Sequence, residues 1–226
     1  MFYSADAHDC SYLKNQQQRN IFTLLDNTKH TYYLHHLLKS GFRRSHHMAY
    51  FPACHHCQQC LSLRVLVNDF QPSKSQKRIL NKNNHLNEQI IRDVDDYKPL
   101  YQLFQHYINT RHENSDMRTF GDDEFIAFIA PQFNQYLHCY FDDEKLVGVM
   151  ITDWFDDALS AIYSFFDPNY HQSLGSYMIL RLIDIAKQHD LQHVYLGYYI
   201  EKSKKMAYKT NYRPFEIYQH GDWHKL

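Results

Sequence analysis

The chain has 226 residues, 44% apolar and 16% aromatic, which excludes a disordered chain and allows one large domain or a main domain with a modest second unit. A net charge of −1 speaks against a general nucleic-acid binder, yet the charge is uneven: residues 43–82 hold seven basic residues against Asp69, residues 113–157 eleven acidic ones, and residues 200–213 five basic ones against Glu201. The start carries no basic and apolar leader, no apolar run is long enough to span a bilayer, and the five cysteines are odd in number with three clustered, so a reducing, cytoplasmic setting without a disulfide framework is expected.

The spacing of Tyr32, Tyr33, His36 and Leu37 predicts a helix, stopped by Gly41. Residues 62–68 alternate as a strand. Ser73 with Gln76 three positions on is a capping box, so a helix is expected from there to about Asn83, carrying Lys74, Lys77, Arg78 and Lys82. Its N-terminus, with unpaired N–H groups, favours anions. Residues 1–84 thus read as a smaller N-terminal subdomain and 85–226 as the main domain.

In the main domain residues 86–94 are strand-like, and Leu100, Leu103, Phe104, Tyr107 and Ile108 form an apolar stripe at helical period. A helix over 122–130 is stopped by Pro131. Strands follow at 136–141, 146–153 and 159–166, separated by acidic turns. A long helix over 174–189, a strand at 193–197, a short helix at 203–209 and a last strand at 215–218 complete the chain. An antiparallel meander followed by a βαβ crossover is an α/β (α+β) order that resembles the Gcn5-related N-acetyltransferase fold. That resemblance implies two central strands that splay apart to receive an acyl donor, whose phosphates lie at the start of the long helix.

The turn into that helix, Gln172-Ser173-Leu174-Gly175-Ser176-Tyr177, matches the acetyltransferase phosphate loop at Gln172 and Gly175 but places a bulky ring at Tyr177. Such a ring speaks against coenzyme A, while Gly175 alone would also relieve a tight turn.

Further motifs point elsewhere. Phe42-Arg43-Arg44-Ser45, the run Tyr50-Phe51-Pro52-Ala53-Cys54-His55-His56-Cys57-Gln58-Gln59-Cys60, the segment Phe70 to Arg78, Arg111-His112, Phe165-Phe166-Asp167-Pro168, Tyr195-Leu196-Gly197-Tyr198-Tyr199 and Lys204-Lys205-Met206-Ala207-Tyr208-Lys209 resemble, in order and nearly end to end, the arginyl-tRNA–protein transferase family. The stretch Lys14-Asn15-Gln16 lacks the proline of that pattern. The resemblance implies an aminoacyl-tRNA donor and a protein acceptor. For the short bacterial members it implies transfer of leucine from leucyl-tRNA to an N-terminal Asp or Glu, marking the protein for degradation. The alternatives are arginine as the transferred residue or, on the fold alone, acetyl transfer from coenzyme A.

The donor is an activated ester, so the acceptor amine can attack directly, without a cofactor or covalent intermediate. Most of an α-amine is protonated at neutral pH and must first lose a proton. Asp153, Tyr163 and Tyr198 lie on or beside the expected splayed strands and are the candidates for proton handling. A planar guanidinium suits the acceptor carboxylate, which points to Arg43, Arg64 or Arg78. Arg44 and Lys74 read as surface or tRNA contacts. Ser173, Gly175, Ser176, Lys74, Lys204, Lys205 and Lys209, with Lys202, are expected at the donor tRNA. Cys54, Cys57 and Cys60 have a spacing that resembles a metal site, with Cys10 as a fourth thiol if the N-terminus folds back. The alternative is that they are buried small hydrophobes, and no metal is assigned.

Overall fold

The computed structural model describes all residues except 27–30, 113–114 and 171. In chain order the elements are β1 (Tyr3–Ser4), β2 (His8–Asp9), β3 (Gln17–Gln18), β4 (Asn20–Leu24), α1 (Thr31–Lys39), β5 (Arg43–Ser45), β6 (Met48–Pro52), β7 (Leu61–Leu66), α2 (Lys74–Lys82) and β8 (Asn87–Ile91). Then come α3 (Lys98–Arg111), α4 (Asp122–Ile129), β9 (Gln135–Asp142), β10 (Lys145–Trp154), β11 (Ala158–Phe166), α5 (Leu174–Gln188), β12 (His193–Tyr199), α6 (Lys204–Ala207), a 3-10 turn (Tyr208–Asn211), β13 (Phe215–Gln219) and β14 (Asp222–Lys225). This reproduces the predicted order of helices and strands from residue 86 to β13, and the edge strand β14 is an addition to it. The short strands β1 to β6 were not predicted.

Eight strands form one mixed sheet in the order β14-β13-β7-β12-β11-β10-β9-β8. A four-stranded sheet, β1-β4-β6-β5, sits beside it. Strand β7 comes from the first 84 residues yet lies inside the large sheet, antiparallel to β12 and β13. The expected division at residue 84 therefore runs through a sheet.

Period-two alternation sorts the core. Val149 and Ile151 of β10 pack with Phe104, Phe125 and Phe165 against α3 and α4. Met150, between them in sequence, packs with Met178, Leu182 and Ile183 of α5. Gly148 admits α5 closely, since a Cβ there would stand 3.2 Å from Leu174. Helix α2 starts with the expected capping box, Ser73 and Gln76 each satisfying the other's backbone N–H. It is tied down at both ends: Gln76 Nε2 donates to the Asn211 carbonyl at 3.0 Å, and Asn83 Nδ2 to the Gln172 carbonyl at 2.8 Å.

The central feature is a short parallel pairing. β11 and β12 pair only at Ala158–His193, Leu159–Val194 and Ser160–Tyr195, then part. At the same place the β12–β7 register shifts between Tyr195 and Gly197. Gly197 adopts a φ of +87°, a conformation that costs other residues strain.

The small sheet is anchored through β5. Arg44 Nε and Nη2 reach the two oxygens of Asp153 on β10 at 2.6 and 2.8 Å, and Nη2 also donates to Gln135 Oε1 at 2.6 Å. Both side chains are almost fully buried. Two expectations change here: Asp153 is a fully buried partner of Arg44 through both its oxygens and not a free carboxylate beside the strands, and Arg44 is buried and not a surface residue. Burial pushes the Asp153 carboxyl above its ordinary range, and the Arg44 guanidinium opposes that. Removing one partner of such a pair leaves an uncompensated buried charge. Asp153→Ala should therefore lose about 3–5 kcal/mol of unfolding free energy in a denaturant titration. A loss below about 1 kcal/mol, typical of an exposed pair, would show that the clamp is not structural.

Candidate active site

Where β11 and β12 part, one backbone carbonyl of each strand is met by a cationic side chain. Arg43 reaches in from β5 and donates through Nη1 to Ser160 Oγ at 3.1 Å and through Nη2 to the Ala161 carbonyl of β11. Lys209 reaches in from the 3-10 turn and donates from Nζ to the Tyr198 carbonyl of β12 at 2.7 Å. Gly197 makes the room: a Cβ there would stand 3.3 Å from Lys209 Nζ and 3.4 Å from Arg43 Nε. Both cations are about 95% buried, and among the described residues neither forms an ion pair with a carboxylate. Buried charges are ordinarily paired, so an unpaired cationic pair at one point is unusual. Burial, and then the neighbouring Arg43 charge, pull the Lys209 ammonium down to about 7.

Of the three expected arginines, only Arg43 lies in the split. Arg64 on β7 is committed elsewhere: its Nε donates to Glu216 Oε2 at 2.6 Å, its Nη1 to the Tyr195 hydroxyl at 3.2 Å, and its guanidinium lies 4.2 Å from the Trp223 ring. Arg78 is exposed on α2. The expectation for Lys209 also changes, since a buried ammonium does not face tRNA phosphates. Lys202, Lys204, Lys205 and Lys74 are exposed.

Tyr198 is not free to carry a proton. Its hydroxyl, between the Gly41 and Tyr50 carbonyls, lies 3.2 and 3.0 Å from them, and burial pushes its pKa far up. Its contribution to the gap is its carbonyl. Tyr163 on β11 packs against Phe128, and burial raises its pKa, with Tyr107 adding to the shift, so its phenol stays protonated and able to donate.

At the start of α5, Ser173 is exposed with a left-handed φ of +55°, and Gly175 lies under the Phe166 ring, which a Cβ would meet at 3.1 Å. The Tyr177 ring turns inward and packs 5.8 Å from Tyr140. It does not occupy the loop surface, so the steric objection to a phosphate there is removed. Ser176 instead lines an open polar cleft with Ser73 and Ser75 of the α2 cap and with Asn211, Tyr212 and Arg213. The sequence reading did not bring these residues together in a cleft.

Cys10, Cys54, Cys57 and Cys60 do come together, around a cavity also lined by Tyr12, Tyr50 and Tyr198. The thiols suit a soft metal, but no group of three or more His, Cys, Asp or Glu among the described residues is arranged to hold an ion. Burial first, then the neighbouring thiols, push Cys60 up to about 12, so it stays a thiol. No helix among the described residues is long and apolar enough to cross a membrane.

Comparison with known proteins gives the chain a fold and a family. Two solved structures share the fold: L-PGS from Bacillus licheniformis, with a TM-score of 0.52 at 10% identity over 79% of this chain and 52% of that one, and the C-terminal domain of a protein assigned as a lysylphosphatidylglycerol synthetase from Agrobacterium fabrum, with 0.54 at 11% over 87% and 65%. The mixed α/β class, with a sheet whose strands β11 and β12 part after three residue pairs, is the observed one. Among curated relatives, proteins named aspartate/glutamate leucyltransferase from Acinetobacter baumannii and Pseudoalteromonas atlantica are 39% and 37% identical, covering 100% and 98% of this chain and 84% and 96% of theirs. The family models described as the N terminus and the C terminus of arginine-tRNA-protein transferase match residues 8–78 and 100–219. The chain belongs to the arginine-tRNA-protein transferase family and is an enzyme that transfers an aminoacyl group from tRNA to protein.

Proposed function

We propose that the chain moves leucine from leucyl-tRNA to the N-terminal Asp or Glu of acceptor proteins, marking them for degradation. The observation that carries the acceptor reading is the Arg43 guanidinium, buried in the strand split without a carboxylate of its own. An incoming Asp or Glu side chain supplies that carboxylate, in a setting where a charge-assisted hydrogen bond is strong. The relatives' names support leucine. A cationic floor also disfavours an arginyl group beside it. Arginine remains the second reading because the family description names it.

In this reading the acceptor α-amine loses a proton and attacks the ester carbonyl of the charged tRNA. The tetrahedral oxyanion is held by N–H groups of the parted strands, where one such donor contributes about 3–4 kcal/mol. Tyr163, kept protonated, donates to the reacting oxygens and passes its proton to the leaving ribose oxygen as it takes up the proton released by the attacking amine nitrogen. Donor phosphates run from the polar cleft of Ser73 and Ser176, beside the Ser173–Gly175 loop, toward Lys74, Lys204 and Lys205.

Incubation with labelled leucyl-tRNA, arginyl-tRNA or acetyl-coenzyme A and an Asp-starting peptide should move only the leucyl label; movement of arginine or acetate instead would replace this reading. Arg43→Ala should lower kcat/KM for the same peptide by about 100-fold or more, the effect of losing a buried charge-assisted contact. Arg78→Ala should leave the peptide KM unchanged, and a rise would return Arg78 to the acceptor site. Binding of leucyl-tRNA should fall steeply with salt, and the double change Lys204→Ala, Lys205→Ala should flatten the log–log slope by roughly 1–2. An unaltered slope would remove these lysines from the tRNA path.

A further inference from the structure

The slot holds a second cation that the acceptor reading does not yet use. Lys209 and Arg43 approach from opposite elements, hold opposite edges of the parted strands, and converge within 3.4 Å of one point beside Gly197. A site built only to fill the gap would need neither charge. The two carbonyls, Ala161 and Tyr198, could be met by neutral donors, and two like charges at one point repel. What two converging cations complement is an anion with two oxygens.

We propose that Lys209 and Arg43 together form the seat for the acceptor's N-terminal side-chain carboxylate, one cation per oxygen, so that Lys209 is a specificity-determining residue for this reaction. This rests on the acceptor reading above and deepens it. The groups around the pair are Tyr50 on β6, Tyr198 on β12, Tyr208 on the 3-10 turn and, behind Arg43, the Arg44–Asp153 clamp. None of these offers a free carboxylate: Asp153 is engaged by Arg44, and the tyrosines are protonated because burial raises each of them. Tyr50 and Tyr198 also form part of the wall of the thiol-lined cavity, which brings that cavity up to Arg43.

A linked proton follows. In the free enzyme burial and Arg43 hold Lys209 near 7, so at pH 8 it is mostly neutral. A carboxylate on the seat raises that value, and Lys209 takes up a proton as the acceptor binds. Affinity for an acidic N-terminus therefore weakens as pH rises above 7, whereas affinity for an uncharged N-terminus carries no such term from Lys209.

The test is calorimetric titration of the full chain at pH 8 in buffers of different ionisation enthalpy, with a short peptide starting with Asp and the same peptide starting with Asn. The α-amine is common to both, so the difference in proton uptake reports the seat. Wild type should bind the Asp peptide more tightly and take up most of a proton more with it. Lys209→Met should bind it at least tenfold more weakly without extra uptake, with thermal unfolding confirming a folded variant. Lys209→Arg should recover affinity but not uptake, because a guanidinium is charged beforehand. Wild type preferring Asp without extra uptake, or Lys209→Arg showing the same uptake, would overturn the role of Lys209 alone. Wild type binding both peptides equally would overturn the acceptor reading together with it.

Discussion

A β-strand that leaves its neighbour inside a folded domain strands hydrogen-bonding groups where water cannot meet them. Here that happens after three paired residues of β11 and β12. The Ala161 and Tyr198 carbonyls of the parted strands are met by a guanidinium and an ammonium, and among the described residues no neutral side chain does the same work at those two atoms. The opening that the transfer reaction needs and the charge that selects its acceptor therefore come from one solution to one backbone problem. The Gly197 conformation, the register shift in β12 and the placement of the C-terminal turn all serve that gap.

Adjacent residues divide the labour. Arg43 and Arg44 neighbour each other on β5, and the two-residue period of a strand sends their side chains to opposite faces. Arg44 spends its charge on Asp153 and holds the small sheet to the large one. Arg43 keeps its charge for the split. The donor side shows a similar economy: turning the Tyr177 ring into the core frees the loop surface, and the cleft beside it borrows serines from the cap of α2, an element contributed by the first third of the chain.

How much of this was legible depended on the range over which each signal acts. Strands β9 to β12 and helices α3 and α5 were readable because their apolar periodicity is local and long. The capping box at Ser73 needs only four residues, and it was found where it stands. Strands β4, β5 and β6 are three to five residues long and hold little alternation, so nothing local announced them. The site was legible as a set of residue types and not as an arrangement. Arg43 could not be separated from Arg64 and Arg78, because the deciding partners, Ser160 and Glu216, lie more than 100 positions away from Arg43 and Arg64. Lys209 sat in a basic run that reads as surface, and only the fold shows it turned inward. Asp153 looked like a base until its guanidinium partner came into view.

Strand β7 carries a consequence for synthesis. Its residues 61–66 find their partners at 193–199 and 215–217, so the strand leaves the ribosome roughly 130 residues before the first of them exists. Pairings of such separation close slowly. Until then Leu63 and Val65, fully buried in the finished protein, belong to a nascent segment with open edges on both sides, the sort of segment that chaperones shelter. Neither of the two halves into which the family is described can complete the eight-stranded sheet, so the chain commits to that sheet only when the last sixth of it has been made.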